Sequence, residues 1–264
     1  MHAVLAGVLC SIASGVVGTY VVLRRITYIA AAISHCILGG LGAARYISVV
    51  YGIEWLRPVH GAIVAALFSA LVIGVISLKA KEREDTVIST LWAVGMAAGV
   101  LFIFKTPGYG EDLTSYLFGN ILMVSKEDLW LIGGLDAVVI TATALFYKQI
   151  LAVCFDEEFS RTRGVAVEAY YLLLLCMTAL TVVLMVSAVG VIMVISMLTL
   201  PVAIASKFFN RVWKIMTAAV VLGIIFNISG LVLSYGPNLP SGALTIIIAG
   251  VTYFMVLIYK AIKR

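Results

Sequence analysis

Charge is scarce in this chain. Only 12% of its 264 residues are Asp, Glu, Lys or Arg, against roughly 25% in a soluble domain, while 63% are hydrophobic. That balance excludes an ordinary water-soluble fold, and no polar stretch is long enough to hold a soluble domain between the apolar runs. The first run, residues 3–23, lacks the charged start and the polar mature segment of a secretory signal, so it reads as a true span. Cysteine is limited to Cys10, Cys36, Cys154 and Cys176 with no CxxC pair, which excludes a zinc cluster or a disulfide framework. There is no GxxxxGK[ST] loop, so any ATP that drives this protein binds another chain. Neither HExxH nor a Ser, His and Asp grouping is present, which removes the basis for an intramembrane hydrolase.

What is present is repetition of apolar length. A bilayer crossing needs about 20 mainly apolar residues, and such runs fall near 3–23, 28–50, 58–78, 86–104, 129–147, 213–235 and 242–261. The block 169–206 is too long for one helix, and Ser187, Ala188 and Gly190 offer a place for a hairpin. Splitting it gives nine spans, and the positive-inside rule supports the split. One side then holds 14 of the 18 basic residues; without the split Arg161 and Lys207 would face opposite compartments. The expected topology has an outside N-terminus and a cytoplasmic C-terminus. The net charge of +5 therefore marks membrane flanks and anionic lipid rather than nucleic acid. The apolar segment 113–124 is too short to cross and reads as a re-entrant or interfacial half-helix. Gly95 and Gly99 form a GxxxG, expected to pack closely against another helix.

Few residues carry chemistry. His35 is the only histidine inside a span, and neutral imidazole is the commonest transition-metal ligand. Its helical neighbours Ala31, Gly39 and Gly42 are small, leaving room for a close helix or for space around the ring. The residues alone leave two readings, a pathway ligand or a core histidine hydrogen-bonded to a neighbouring helix. Asp136 is the single acid placed deep in a span, a weaker metal-ligand candidate that an interhelical hydrogen bond or ion pair also explains. In the longest polar connection, Phe155, Asp156, Glu157, Glu158, Phe159 and Gly164 read as a short helix with acids first, arginines last and a glycine stop. Phe155 and Phe159, four apart, are expected on one face that a partner groove can receive; a helix resting on lipid headgroups is the other reading.

Several segments together resemble the permease subunits of bacterial ABC importers for zinc, manganese and iron. Leu23-Arg24-Arg25-Ile26-Thr27-Tyr28 followed by Ser34-His35 is similar to the family's double arginine ahead of a Ser-His helix. Arg83-Glu84-Asp85-Thr86, Tyr116 to Leu122, Phe155 to Glu158, Ser196 to Pro201 and Leu239 to Gly242 resemble further family elements in the same order, over essentially the whole chain. The resemblance implies an all-α, polytopic transmembrane bundle of the type II ABC importer kind, a single permease domain over 1–264 in the bacterial cytoplasmic membrane. It implies alternating-access import of a divalent transition metal, with His35 as metal ligand and Phe155, Asp156, Glu157, Glu158, Phe159 and Gly164 as the ATPase coupling segment. Expected partners are cytoplasmic ATPase subunits, a second permease identical or paralogous to this one, an extracytoplasmic metal-binding protein and membrane lipid. No cofactor is expected on this chain beyond the transported ion. One departure stands out: the family commonly places an aspartate one turn before the histidine, and here that position is Ala31. A permease for a metal chelate, and an ion-coupled secondary transporter with Asp136 as proton carrier, are the competing functions.

Overall fold

The apolar runs become helices in the computed structural model, which describes residues 2–53, 55–79, 84–108, 121, 124–235 and 239–263. In chain order these are α1 (His2–Leu23), α2 (Thr27–Tyr51), α3 (Pro58–Lys79), α4 (Glu84–Lys105), α5 (Lys126–Phe155), α6 (Glu157–Thr162), α7 (Val167–Val189), α8 (Val191–Ala205), α9 (Val212–Tyr235) and α10 (Ser241–Ile262). Eight are long and apolar enough to cross a membrane, and α8 is a ninth, shorter apolar helix. The expected half-helix over 113–124 lies outside the described residues apart from Ile121 and Val124.

The split of the long apolar block falls at one residue. Gly190 takes φ 85°, a backbone region open to glycine and strained for other residues, and it ends α7 and starts α8. α7 is apolar on all sides and packs against α1, α2, α3, α5 and α8, so it forms the centre of the bundle. α1 packs on α5, α7, α8 and α9, and α10 closes over α8 and α9. Asn227 of α9 satisfies its buried amide on α1, donating to the Ser11 Oγ at 2.7 Å and the Gly7 carbonyl at 3.3 Å. In lipid such bonds hold helices together where burial of apolar surface gives no net drive.

α2, α3 and α4 form a second group built on small residues. A β-carbon at Gly95 would stand 2.7 Å from the Cys36 Cα, and one at Gly99 would stand 2.7 Å from the Leu38 carbonyl carbon. The GxxxG of α4 therefore packs directly on α2, and Gly40 meets Gly61 of α3 in the same manner.

Contacts at the helix ends sort into two layers that match the expected topology. Arg24, just past the end of α1, meets Val153 near the end of α5 and Glu157 at the start of α6, and Tyr171 near the start of α7 meets Ser77 near the end of α3. Lys260 of α10 lies 5.2 Å from the Phe208 ring at the same basic end. At the opposite end Arg57 pairs with Glu127 at 3.1 Å.

Two local expectations change. The fifth helix does not stop near 147 but runs 30 residues to Phe155, about 45 Å at 1.5 Å per residue, longer than the hydrocarbon core. Lys148 and Gln149 suggested a boundary, yet they ride on a helix that bends at Phe146 (φ −108°, ψ 17°) and continues past the apolar zone. Phe155 then belongs to the end of α5, and Asp156 is extended (φ −153°, ψ 105°) before α6 begins. Phe155 and Phe159 consequently do not share a helix face, because the extended residue between them makes a corner.

Candidate functional site

His35 sits two turns into α2 and is half-buried against α4. Its ring lies parallel to the Trp92 indole, with centroids 4.3 Å apart and planes 15° apart. About two turns before His35, the Tyr28 hydroxyl shares a 2.7 Å hydrogen bond with Ser89, and its ring lies 5.8 Å from Trp92. The Cys36 thiol donates to the Leu91 carbonyl at 3.0 Å, fixing the register of the two helices at this level. The small neighbours of His35 thus serve close helix approach, and the ring fills the wider space just beyond the glycine contact. Its Nδ1 is buried with no hydrogen-bond partner among the described residues. An imidazole stacked on one face and unbonded at a ring nitrogen keeps a lone pair or a donor for something that the described residues do not supply. Ala31, one turn before, is buried and brings no ligand atom; its carbonyl accepts from Ser34 at 2.6 Å.

Asp136 lies elsewhere. It is 2% exposed on α5, which packs on α1 and α7. Its Oδ1 is buried without a hydrogen-bond partner among the described residues. The structure does not bring Asp136 and His35 into one cluster, and among the described residues no group of three or more His, Cys, Asp and Glu is arranged to hold a metal ion.

The segment from Phe155 to Gly164 is built as a small rigid platform. Asp156 caps α6, its carboxylate accepting from the Phe159 N–H at 2.9 Å. Gly164 at φ 78° closes it: Val165 N–H donates to the Ser160 carbonyl and Gly164 N–H to that of Arg161, the paired bonds of a Schellman stop. Arg163 covers the Phe159 ring at 5.2 Å, and Arg161 pairs with Glu168 at 2.6 Å. Phe155 and Phe159 project outward, 66% and 55% exposed, next to the exposed Glu158. Glu157 turns the other way and forms an ion pair with Arg24.

Comparison with known proteins bears on this arrangement. Residues 1–260 match the ABC-3 family, described as ABC 3 transport family. The chain belongs to the ABC 3 transport family. It is 41% identical over 250 residues to the "Probable metal transport system membrane protein" of Chlamydia muridarum, covering 95% of this chain and 85% of that one. It is 33% identical over 258 residues to the manganese transport system membrane protein MntC of Listeria monocytogenes, covering 97% and 89%. Among solved structures, PsaBC from Streptococcus pneumoniae in complex with Fab has a TM-score of 0.84 to this chain at 28% identity, covering 97% and 89%. Family membership fits an all-helical, multi-pass bundle and excludes the gradient-driven secondary transporter as the class of this chain.

Sequence reasoning missed Trp92, the bend at Phe146 and the contacts of Arg24. Trp92 carried a usable signal, since tryptophan in membrane helices favours the interfaces and this one lies eight residues into α4, as His35 does into α2. Nothing in the sequence marks Phe146 as a break.

Proposed function

We propose that this chain is the membrane-spanning permease subunit of an importer for a free divalent transition metal, powered by ATP on a separate ATPase chain. The observation that carries the metal is His35: a half-buried imidazole within a span, stacked on Trp92, with Nδ1 unbonded among the described residues. Imidazole suits zinc and iron, and manganese needs added oxygen ligands; the names of the relatives in Chlamydia and Listeria point to metal, in the latter case manganese. The platform around α6 receives the ATPase, with Phe155 and Phe159 as apolar anchors and Asp156, Glu157, Glu158 and Gly164 fixing its shape and charge. Its basic end faces the cytoplasm by the positive-inside rule, as suits a multi-pass protein of the bacterial cytoplasmic membrane. A metal-binding protein outside delivers the ion, and ATP-driven movement of the platform opens the pathway alternately to each side.

The decisive experiment measures cellular accumulation of zinc, manganese and iron with the whole transporter expressed and His35 intact or replaced by Ala. Uptake of one metal is expected to rise with expression and to fall severalfold with His35→Ala at equal protein level. If uptake of that metal is untouched by the substitution, His35 is not on the pathway; if no metal responds to expression, free metal is not the cargo.

A further inference from the structure

The platform is joined to the bundle by one residue from far away in the chain. Among the described residues, the ion pairs and side-chain hydrogen bonds of α6 are otherwise made within residues 155–168. Arg24 is the exception. One arm of its guanidinium donates to the Val153 carbonyl in the last turns of α5 at 3.2 Å, the other pairs with Glu157 in the first turn of α6, and its plane lies 5.3 Å from the Tyr171 ring of α7. Tyr171 in turn shares a hydrogen bond with Ser77 of α3 at 3.3 Å. Its backbone is equally placed. Arg24 directly follows the last residue of α1, and α2 begins three residues later at Thr27. The joint is rigid, with Arg25 held at φ 61° and Ile26 N–H bonded to the Val21 carbonyl at 3.0 Å. His35 lies eight residues into α2, about 12 Å along its axis.

We propose that Arg24 is a positioning residue for transport: it ties the ATPase platform to the α1–α2 joint, so that displacement of α6 moves the helix that carries His35. The inference rests on the reading of α6 as the docking platform and of His35 as a pathway residue. A planar, always-charged fork is suited to this task because it engages a carbonyl and a carboxylate in fixed directions while stacking on an aromatic ring. A lysine at 24 keeps the charge but cannot hold all three contacts, so it removes the linkage without removing the cation. Glu157→Gln removes the ionic partner from the other side at a half-exposed position, where the fold tolerates the change.

The test uses the whole transporter, with its ATPase and metal-binding protein, reconstituted in liposomes, reading metal uptake and ATP hydrolysis on the same preparation. For Arg24→Lys and for Glu157→Gln, uptake per ATP hydrolysed is expected to fall on the order of tenfold, as loss of a charge-assisted hydrogen bond allows. ATPase co-purification stays at the unsubstituted level. An unchanged ratio in both variants overturns the proposal. So does a proportional fall of uptake and hydrolysis that tracks the amount of folded protein, because that is what a merely structural arginine gives. The docking reading fails separately: Phe159→Ala then leaves ATPase co-purification at its full level, whatever Arg24 does.

Discussion

At the scale of single residues, the clearest departure from sequence convention is Arg25. A helix that ends in a Schellman motif places a left-handed residue just after its end, and glycine is the usual occupant because it has no β-carbon to clash. Here Arg25 occupies that position at φ 61°, with both reciprocal bonds formed, Arg25 N–H to the Val22 carbonyl and Ile26 N–H to the Val21 carbonyl. The strain is about 1 kcal/mol for an L residue with a side chain. Comparing Arg25→Gly with Arg25→Ala isolates it, since both lose the guanidinium and only the alanine keeps the clash. The glycine variant is expected to melt higher in detergent, by the few degrees that about 1 kcal/mol gives. Equal melting temperatures refute a strained joint. The same stretch shows what a sequence conveys at this scale: the double arginine was visible, but that Arg24 turns into the protein while Arg25 bends the chain depends on tertiary contacts with α5, α6 and α7. His35 shows the complement. Its isolation in an apolar helix was legible, whereas the indole of Trp92 against its face comes from the glycine-set register between α2 and α4.

At the scale of elements, hydropathy located nearly every helix because in lipid each backbone group must bond within its own helix, so apolar length and helix length coincide. Agreement fails where a helix leaves the apolar zone. α5 outruns its apolar stretch by eight residues and delivers Phe155 to the surface on its own last turn. The corner at Asp156 then sets Phe159 on a separate helix, so the two aromatic anchors are positioned by different elements. A prediction follows for the docking surface. Phe155→Ala and Phe159→Ala are each expected to weaken ATPase binding on the order of tenfold, the cost of removing one exposed aromatic anchor. Asp156→Ala is expected to disturb Phe159 more than Phe155, since it removes the cap of α6, worth about 1 kcal/mol, and leaves the end of α5 in place. Titration of the purified permease in detergent with the ATPase reads all three. If binding is unchanged in both aromatic variants, this surface is not the docking site. The short α6 was legible from its charges and its glycine; its junction with α5 was not, because the extended conformation of one aspartate leaves no compositional trace.

At the scale of the whole molecule, the question is where the remaining metal ligands originate. A transition-metal ion bound in a protein takes four or more donors. His35 offers one imidazole, Ala31 offers none, and Asp136 sits in the α1, α5 and α7 interface, away from it. Among the described residues nothing completes the site. The helix that shares His35's interface, α4, also has a broad exposed apolar face, with Val94, Leu101 and Phe104 at 61%, 63% and 90%. A second permease brought to this side of the molecule can add donors to His35. Two identical chains supply two imidazoles and no carboxylate, a set that favours zinc over manganese. A paralogous chain that keeps an aspartate where this one has Ala31 supplies the hard oxygen and the negative charge that manganese prefers. With Ala31 in the carboxylate position of this chain, the mixed pair is the one that supplies both donor types. Native mass analysis of the complex purified from its own host is therefore expected to show two permease species in equal amounts. A single permease species at full stoichiometry overturns the mixed pair. In that case Ala31→Asp, installed in both copies, is expected to shift uptake from zinc toward manganese, because it restores a carboxylate one helical turn from each imidazole.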